Sequence, residues 1–151
     1  MSAMKRLLVF ILLLSSIAFA VGPKEIPDSA QISPQALVRI LQSNQSAKLL
    51  ILNVGPRVLY AQARVRGAEF IGPTSDPRGL AALRQRVKGL PKNKQIILYC
   101  GCCPWDRCPN VGPGYTEMKK LGFTNVKVLY IAHNIGMDWV DQGYPTDRRS
   151  N

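Results

Sequence analysis

The sequence predicts an α/β protein of doubly wound type, with a mainly parallel central sheet and helices on both faces. Three observations carry this. Continuous apolar runs occur at Leu49–Val54, Gln95–Tyr99 and Val126–Tyr130, the pattern of strands buried on both faces. Amphipathic segments separate them, and strands alternating with helices imply a parallel sheet. The chain has 151 residues, 46% hydrophobic, which suits one core and excludes wholesale disorder or a second domain.

Residues 1–20 read as a secretory signal peptide. Lys5 and Arg6 precede the uncharged run Leu7–Ala20, which ends in the small-x-small pattern Ala18-Phe19-Ala20. Fourteen residues span only about 21 Å of helix, short of a hydrocarbon core of about 30 Å. Export, to the bacterial periplasm, is therefore expected, with membrane association only if the segment is uncleaved. Cleavage removes two of the positive charges that give a net +11, leaving 131 residues at +9.

Residues 21–31 read as an extended leader. Ser33 and Pro34 are an N-cap and a first-turn proline for a helix to about Ser43, with Leu37, Ile40 and Leu41 as its apolar stripe. After the first strand, Gly55-Pro56 breaks the run. A short helix over Val58–Ala63 and a short strand over Ala68–Ile71 follow. Pro77–Lys88 is amphipathic through Leu80, Leu83 and Val87 and is closed by Gly89 and Pro91. The second strand runs directly into Cys100. Tyr115–Leu121 is expected to be helical, stopped by Gly122, and Trp139–Gln142 forms a last short helix. Residues 146–151 read as a polar tail.

All four cysteines lie between Cys100 and Cys108. Bridges that scaffold a small protein are spread along the chain, so this is a concentrated thiol site instead. Ligands of open parallel sheets bind beyond the carboxyl ends of the strands. Cys100 stands at such an end with a helix following, where backbone N–H groups receive an anion. A thiolate there is expected to have a lowered pKa and to act as a nucleophile.

The run Leu49–Val54 before a short helix, Arg66-Gly67-Ala68, the strand ending in Cys100, the stretch Lys119–Leu129 and Trp139 with Gly143-Tyr144-Pro145 together resemble a single-domain rhodanese-like protein over residues 32–145. The resemblance implies that Cys100 takes sulfane sulfur as a persulfide and passes it to a thiophilic acceptor. It further implies a small anionic donor such as thiosulfate, bound by Arg107 and the loop of Gly101, Cys102, Cys103, Trp105 and Asp106. No cofactor is required. Departures are present: Asn53-Val54-Gly55 replaces the usual Asp-Val-Arg, and Ala63–Ala68 replaces the usual Gly-His-Ile-Pro-Gly-Ala. Cys100 to Arg107 spans eight residues where six are typical. Cys102 to Arg107 spans six, so Cys102 is the alternative nucleophile. The Cys-x5-Arg loop of cysteine phosphatases is absent.

Cys102, Cys103 and Cys108 exceed what simple sulfur transfer needs. One reading makes them resolving thiols in a thiol–disulfide or peroxidatic cycle served by a thiol reductant protein. Another has Cys100, Cys102, Cys103 and Cys108 binding Cu(I) or Zn²⁺; the spacing lacks paired zinc knuckles, whereas soft thiolates select Cu(I). A third is structural bridging in a non-catalytic interaction domain. Trp105 walls the pocket or anchors the loop, Asp106 is a solvated charge or an orienter of Arg107, and Asn110 is read as an N-cap. His133, the single histidine, together with Trp139 and Tyr144, is given a structural role. Between Arg57 and Lys94 lie nine basic and two acidic residues, read as a solvated face or a device to steer anions. Without aromatic interleaving, nucleic acid is not expected as a partner.

Overall fold

The computed structural model describes residues 26–148. The chain runs through β1 (Gln31–Ile32), α1 (Pro34–Leu41), β2 (Leu50–Asn53), α2 (Arg57–Gln62), β3 (Ala63–Val65) and β4 (Glu69–Phe70). It continues through α3 (Pro77–Val87), β5 (Ile96–Tyr99), α4 (Val111–Lys120), β6 (Val126–Leu129) and β7 (Thr146–Arg148). A tight 3₁₀ turn at Trp105–Arg107 and a π-helical turn at Gly136–Val140 complete the functional end. The signal segment expected over residues 1–20 lies outside the described residues. Among those described, no helix is long and apolar enough to cross a membrane.

Five strands form a wholly parallel sheet in the order β1-β6-β5-β2-β4. β5 is therefore central, with Leu98 in register with Leu52 on one side and Val128 on the other. Side chains alternate between faces along each strand. Leu50, Leu52, Ile96, Leu98, Val126 and Val128 pack with Leu83 and Val87 of α3 and Met118 of α4. Ile51, Ile97, Tyr99 and Leu129 pack on the other face against Leu37 of α1 and Trp139 of the π-helical turn. The expected doubly wound α/β fold is thus present. Continuing the alternation one residue past β5 puts Cys100 on the α4 face.

Local chemistry sets the helix ends. Ser33 Oγ accepts the Ala36 N–H at 3.2 Å and Asp76 Oδ1 accepts the Arg78 N–H at 2.8 Å, each followed by proline at the first helical position. α1 stops at Leu41, two residues short of the expected end. The short helix after β2 lies at Arg57–Gln62, one residue earlier than expected.

The structure corrects four readings. Gln31 is not leader: with Ile32 it pairs with Val128 and Leu129 as an edge strand. Residues 146–148 are not a tail but β7, antiparallel to β3, and Asp147 Oδ2 accepts the Gly67 N–H at 2.9 Å. α4 starts at Val111 rather than Tyr115. Its Gly112-Pro113-Gly114 opening has poor helix propensity, but a Cβ at Gly114 would stand 3.1 Å from Thr74 Oγ1 and 3.5 Å from Leu98. Close packing on β5 therefore overrides propensity. The last short helix is the π-helical turn Gly136–Val140, with Trp139 fully buried and its Nε1–H bonded to the Pro145 carbonyl at 3.0 Å.

Candidate functional site

The four thiols occupy the loop between β5 and α4. Cys100 follows the last residue of the central strand and is 3% exposed. Gly101 then turns the chain with φ +76°, a left-handed conformation that favours glycine, and its carbonyl accepts the Ile135 N–H at 3.0 Å. The Trp105 N–H bonds the Ala132 carbonyl at 3.3 Å and its ring lies 5.0 Å from that of Tyr130. Pinned at these points, the loop folds back on itself. Cys100 Sγ is 3.0 Å from Cys102 Sγ, which is 2.8 Å from Cys103 Sγ. The sulfurs of Cys100, Cys102 and Cys108 all lie within 4.8 Å of one another.

Two asparagines hold Cys100. Asn53, at the end of β2, donates from Nδ2 to the Cys100 carbonyl at 3.3 Å and accepts the Gly55 N–H on Oδ1 at 3.1 Å. Gly55 presses in behind: a Cβ there would stand 2.6 Å from the Cys100 carbonyl oxygen and 3.0 Å from its sulfur. Asn110 donates from Nδ2 to Cys100 Sγ at 3.3 Å, while its Oδ1 accepts the Ser75 N–H at 3.1 Å. It stands at the N-cap of α4 but makes no side-chain cap bond, so the expected capping role is replaced by contact with the thiol.

The electrostatics differ from expectation. The lowered pKa falls on Cys108, brought to about 3: Cys100 and Cys102 donate S–H bonds to it, burial opposes, and the N–H groups of Asn110 and Val111 at the start of α4 assist. Cys100 is eased by the Cys102 S–H, yet the Cys108 thiolate and burial push it up to about 12. Cys102 is pushed up by its contacts with Cys100 and Cys108 and by burial, and Cys103 is pushed up by burial first. The helix N-terminus does stabilise a thiolate, on the thiol beside the helix rather than on the one at the strand end. The signal for this is Cys108-Pro109-Asn110 immediately before α4; the late helix start assumed from sequence hid it.

Arg107 and Asp106 are exposed, and among the described residues the Arg107 guanidinium joins no hydrogen bond or ion pair. Only its carbonyl faces the thiols, 3.8 Å from Cys103 Sγ. The turn at Trp105–Arg107 points Trp105 inward and leaves the charged pair in solvent. Trp105 is at once anchor and wall. With Cys100, Cys103, Cys108, Val111 and Leu129 it lines a void of about 10 Å³. On the opposite side, Gly101 and Cys102 border an open groove of about 430 Å³ with Ile135 and Arg148. His133 is exposed and lies 2.9 Å from Asp138 Oδ1, remote in role from the thiols. Burial works against the Asp138 carboxylate, but bonds from His133 and Asn134 keep its pKa below the ordinary value. Much of the basic stretch is committed internally: Arg84 to Glu117, Arg86 to Glu69, Arg57 over the Phe70 ring at 4.1 Å.

The family model described as "Rhodanese-like domain" matches residues 33–130, from the cap of α1 through the whole thiol loop to the end of β6. This chain belongs to the rhodanese-like domain family. No curated protein matches it. Among solved structures, it is similar to the BH2092 protein of Bacillus halodurans, at 20% identity and TM-score 0.61 over 80% of this chain and 78% of that one. The rhodanese-like domain of Alr3790 from Anabaena sp is similar at 19% identity and TM-score 0.56, covering 79% of each chain. A persulfide form of EanB, in a tetrahedral intermediate state with ergothioneine, is 25% identical with TM-score 0.56, over 78% of this chain and 28% of that one. Within the rhodanese-like fold, Cys100 occupies the C-terminal end of the central strand, with Cys108 and Asn110 facing it from the turn that leads into α4.

Proposed function

We propose that this rhodanese-like domain is an exported sulfurtransferase or sulfane-sulfur carrier in which Cys100 forms the persulfide. One observation carries the reading. The Cys100 sulfur, held by an Asn110 N–H donor, borders a void of about 10 Å³, room for about one water-sized atom. The cysteine persulfide in the EanB relative supports it.

The Cys100 sulfur attacks the outer sulfur of a donor such as thiosulfate. A new S–S bond forms, the bond to the sulfonate sulfur breaks, and sulfite leaves with the electron pair. The Cys100 proton passes to solvent as the bond forms. The terminal sulfur fills the void, facing the N–H groups at the start of α4. Arg107, at the mouth of the loop, draws the oxyanion in from solvent. A thiophilic acceptor then attacks the terminal sulfur and regenerates the Cys100 thiolate.

The 3.0 Å gap between Cys100 and Cys102 favours a second reading, thiol–disulfide exchange. Cys102 attacks the inner sulfur of the persulfide, a Cys100–Cys102 disulfide forms and hydrosulfide leaves. A dithiol reductant then resets the pair.

Mass spectrometry of the reduced chain after thiosulfate treatment tests both. Transfer predicts a gain of one sulfur atom, lost in Cys100→Ser and kept in Cys102→Ser. An adduct that survives Cys100→Ser and vanishes in Cys102→Ser refutes the assignment. Loss of two hydrogens with hydrosulfide release, abolished by Cys102→Ser, selects the exchange reading. Export is tested by N-terminal sequencing of the periplasmic fraction, with a new terminus after Ala20 expected.

A further inference from the structure

We propose that Cys100, Cys102 and Cys108 are also a binding site for one copper(I) ion, held by three thiolates. The three sulfurs converge from separate points of one loop to within 4.8 Å of one another, two of the residues being buried. A thiophilic ion bonds sulfur at about 2.3 Å, so three sulfurs around it in a plane stand about 4.0 Å apart. The separations found, from 3.0 Å for Cys100–Cys102 up to that 4.8 Å limit, bracket this value. Seating the ion requires Cys102 to open away from Cys100 by about 1 Å. Cys102 is the half-buried member and borders the open groove, so it has room to move.

The donor set selects the ion. Among the described residues no histidine or carboxylate joins these three sulfurs, and an all-sulfur set of three suits soft, three-coordinate Cu(I) better than Zn²⁺, whose structural sites take four ligands. The surroundings suit a cation as well. No basic side chain reaches the cluster among the described residues, so the three sulfurs have no fixed positive partner that would compete with a cation. The apolar wall of Trp105, Val111 and Leu129 covers Cys100 and Cys108, and Cys102 faces the groove through which the ion enters. On binding, the S–H protons pass to solvent and copper stays Cu(I), with no electron transferred. Cys103, 2.8 Å from Cys102, remains outside the set of three converging sulfurs.

The site does not depend on the sulfur-transfer reading. Copper occupies the Cys100 sulfur, so the loaded chain is expected to refuse the sulfur atom that the metal-free chain accepts. The test is anaerobic titration of the reduced full chain with Cu(I) against bathocuproine disulfonate, with X-ray absorption at the copper edge. The expected result is one Cu(I) per chain with three sulfur neighbours and no nitrogen or oxygen neighbour. Affinity should fall at least tenfold in Cys102→Ser and Cys108→Ser and less than threefold in Cys103→Ser. Circular dichroism confirms that each variant folds, and Cys102→Ser, the less buried change, decides if Cys108→Ser does not. Failure to compete with the chelator, nitrogen or oxygen ligation, equal losses in all three variants, or preference for Zn²⁺ over Cu(I) would each overturn the site. If copper binds as expected while the metal-free chain takes up no sulfur, the sulfur-transfer reading fails and the copper site stands.

Discussion

Asn110 carries the connection between fold and thiol chemistry, and two substitutions separate its roles. It is 3% exposed and uses both ends of its side chain, Nδ2 on Cys100 Sγ and Oδ1 on the Ser75 N–H. Asn110→Ala removes both bonds. Ser75 is exposed, so its freed N–H is rehydrated, and the two lost bonds together cost roughly 1–3 kcal/mol. For a domain of this size that lowers Tm by on the order of 10 °C. Asn110→Asp keeps an acceptor for Ser75 but replaces the N–H donor with a carboxylate at hydrogen-bond distance from Cys100. Two unit charges about 4 Å apart repel by about 4 kcal/mol at an effective dielectric constant of 20. A quarter to a half of that suffices to raise the Cys100 pKa by about one unit and slow sulfur loading about tenfold at neutral pH. Below the carboxyl pKa the protonated Asp regains a donor, so loading relative to wild type recovers toward pH 4. The assays are thermal melts and the initial rate of sulfur uptake from thiosulfate between about pH 4 and 8. Wild-type uptake by Asn110→Asp at neutral pH, or an unaltered Tm in Asn110→Ala, refutes the reasoning.

Three further outcomes are expected. Gly55→Ala places a methyl against the Cys100 carbonyl and sulfur at 2.6 and 3.0 Å; overpacking of about 1–3 kcal/mol and a displaced thiol should lower both Tm and sulfur uptake. Thermal melts and the uptake rate read this out, and a silent substitution contradicts the close approach. Stability should peak near pH 8.5, where unfolded thiols titrate. Cys108, folded pKa about 3, favours the folded state increasingly as pH rises toward that value, and the benefit is lost as pH falls through about 3. Cys100, at about 12, acts oppositely between pH 8.5 and 12, where the unfolded state loses its proton first. Cys108→Ser should flatten the rise between about pH 5 and 8 in urea midpoints, above the carboxylate range. Deleting residues 146–151 removes β7, the Asp147–Gly67 bond and the 3.9 Å Arg66–Asp147 pair, and should lower the urea midpoint and expose the amides of β3 to hydrogen exchange.

Much of the fold was legible because its strands are buried on both faces. Such strands leave uninterrupted apolar runs, and their alternation with amphipathic segments implies the parallel sheet. The edges were not legible. Gln31-Ile32 is too short to show a period, and Thr146-Asp147-Arg148 is polar because β7 packs little side chain and is held by backbone pairing and Asp147. At the site, the thiol cluster and its place beyond the central strand were readable from Cys100 to Cys108. The order of acidity within it was not, because that depends on where α4 begins. Gly112-Pro113-Gly114 argues against a helix locally, and only contact with Thr74 and Leu98 shows why glycine is needed there.

The departures from the usual family pattern form one arrangement rather than separate losses. In Asn53-Val54-Gly55 a neutral side chain and a glycine stand where the resemblance leads one to expect a carboxylate and a guanidinium. Asn53 ties the Cys100 carbonyl to the β2 loop, and Gly55 brings that loop against the sulfur at a distance no larger residue tolerates. The lengthened loop leaves Arg107 in solvent. The strand end therefore has no fixed positive side chain among the described residues, and the negative charge of Cys108 is held by the S–H donors of Cys100 and Cys102, with backbone N–H groups at the start of α4 assisting. Donors of this kind stabilise one thiolate well and several poorly. A second or third thiolate needs either a covalent partner, as in a persulfide or disulfide, or a soft cation. The two proposals therefore use one geometry: sulfur transfer would need the Cys100 sulfur of an empty cluster, copper binding would occupy that same sulfur, and the two occupancies would exclude each other.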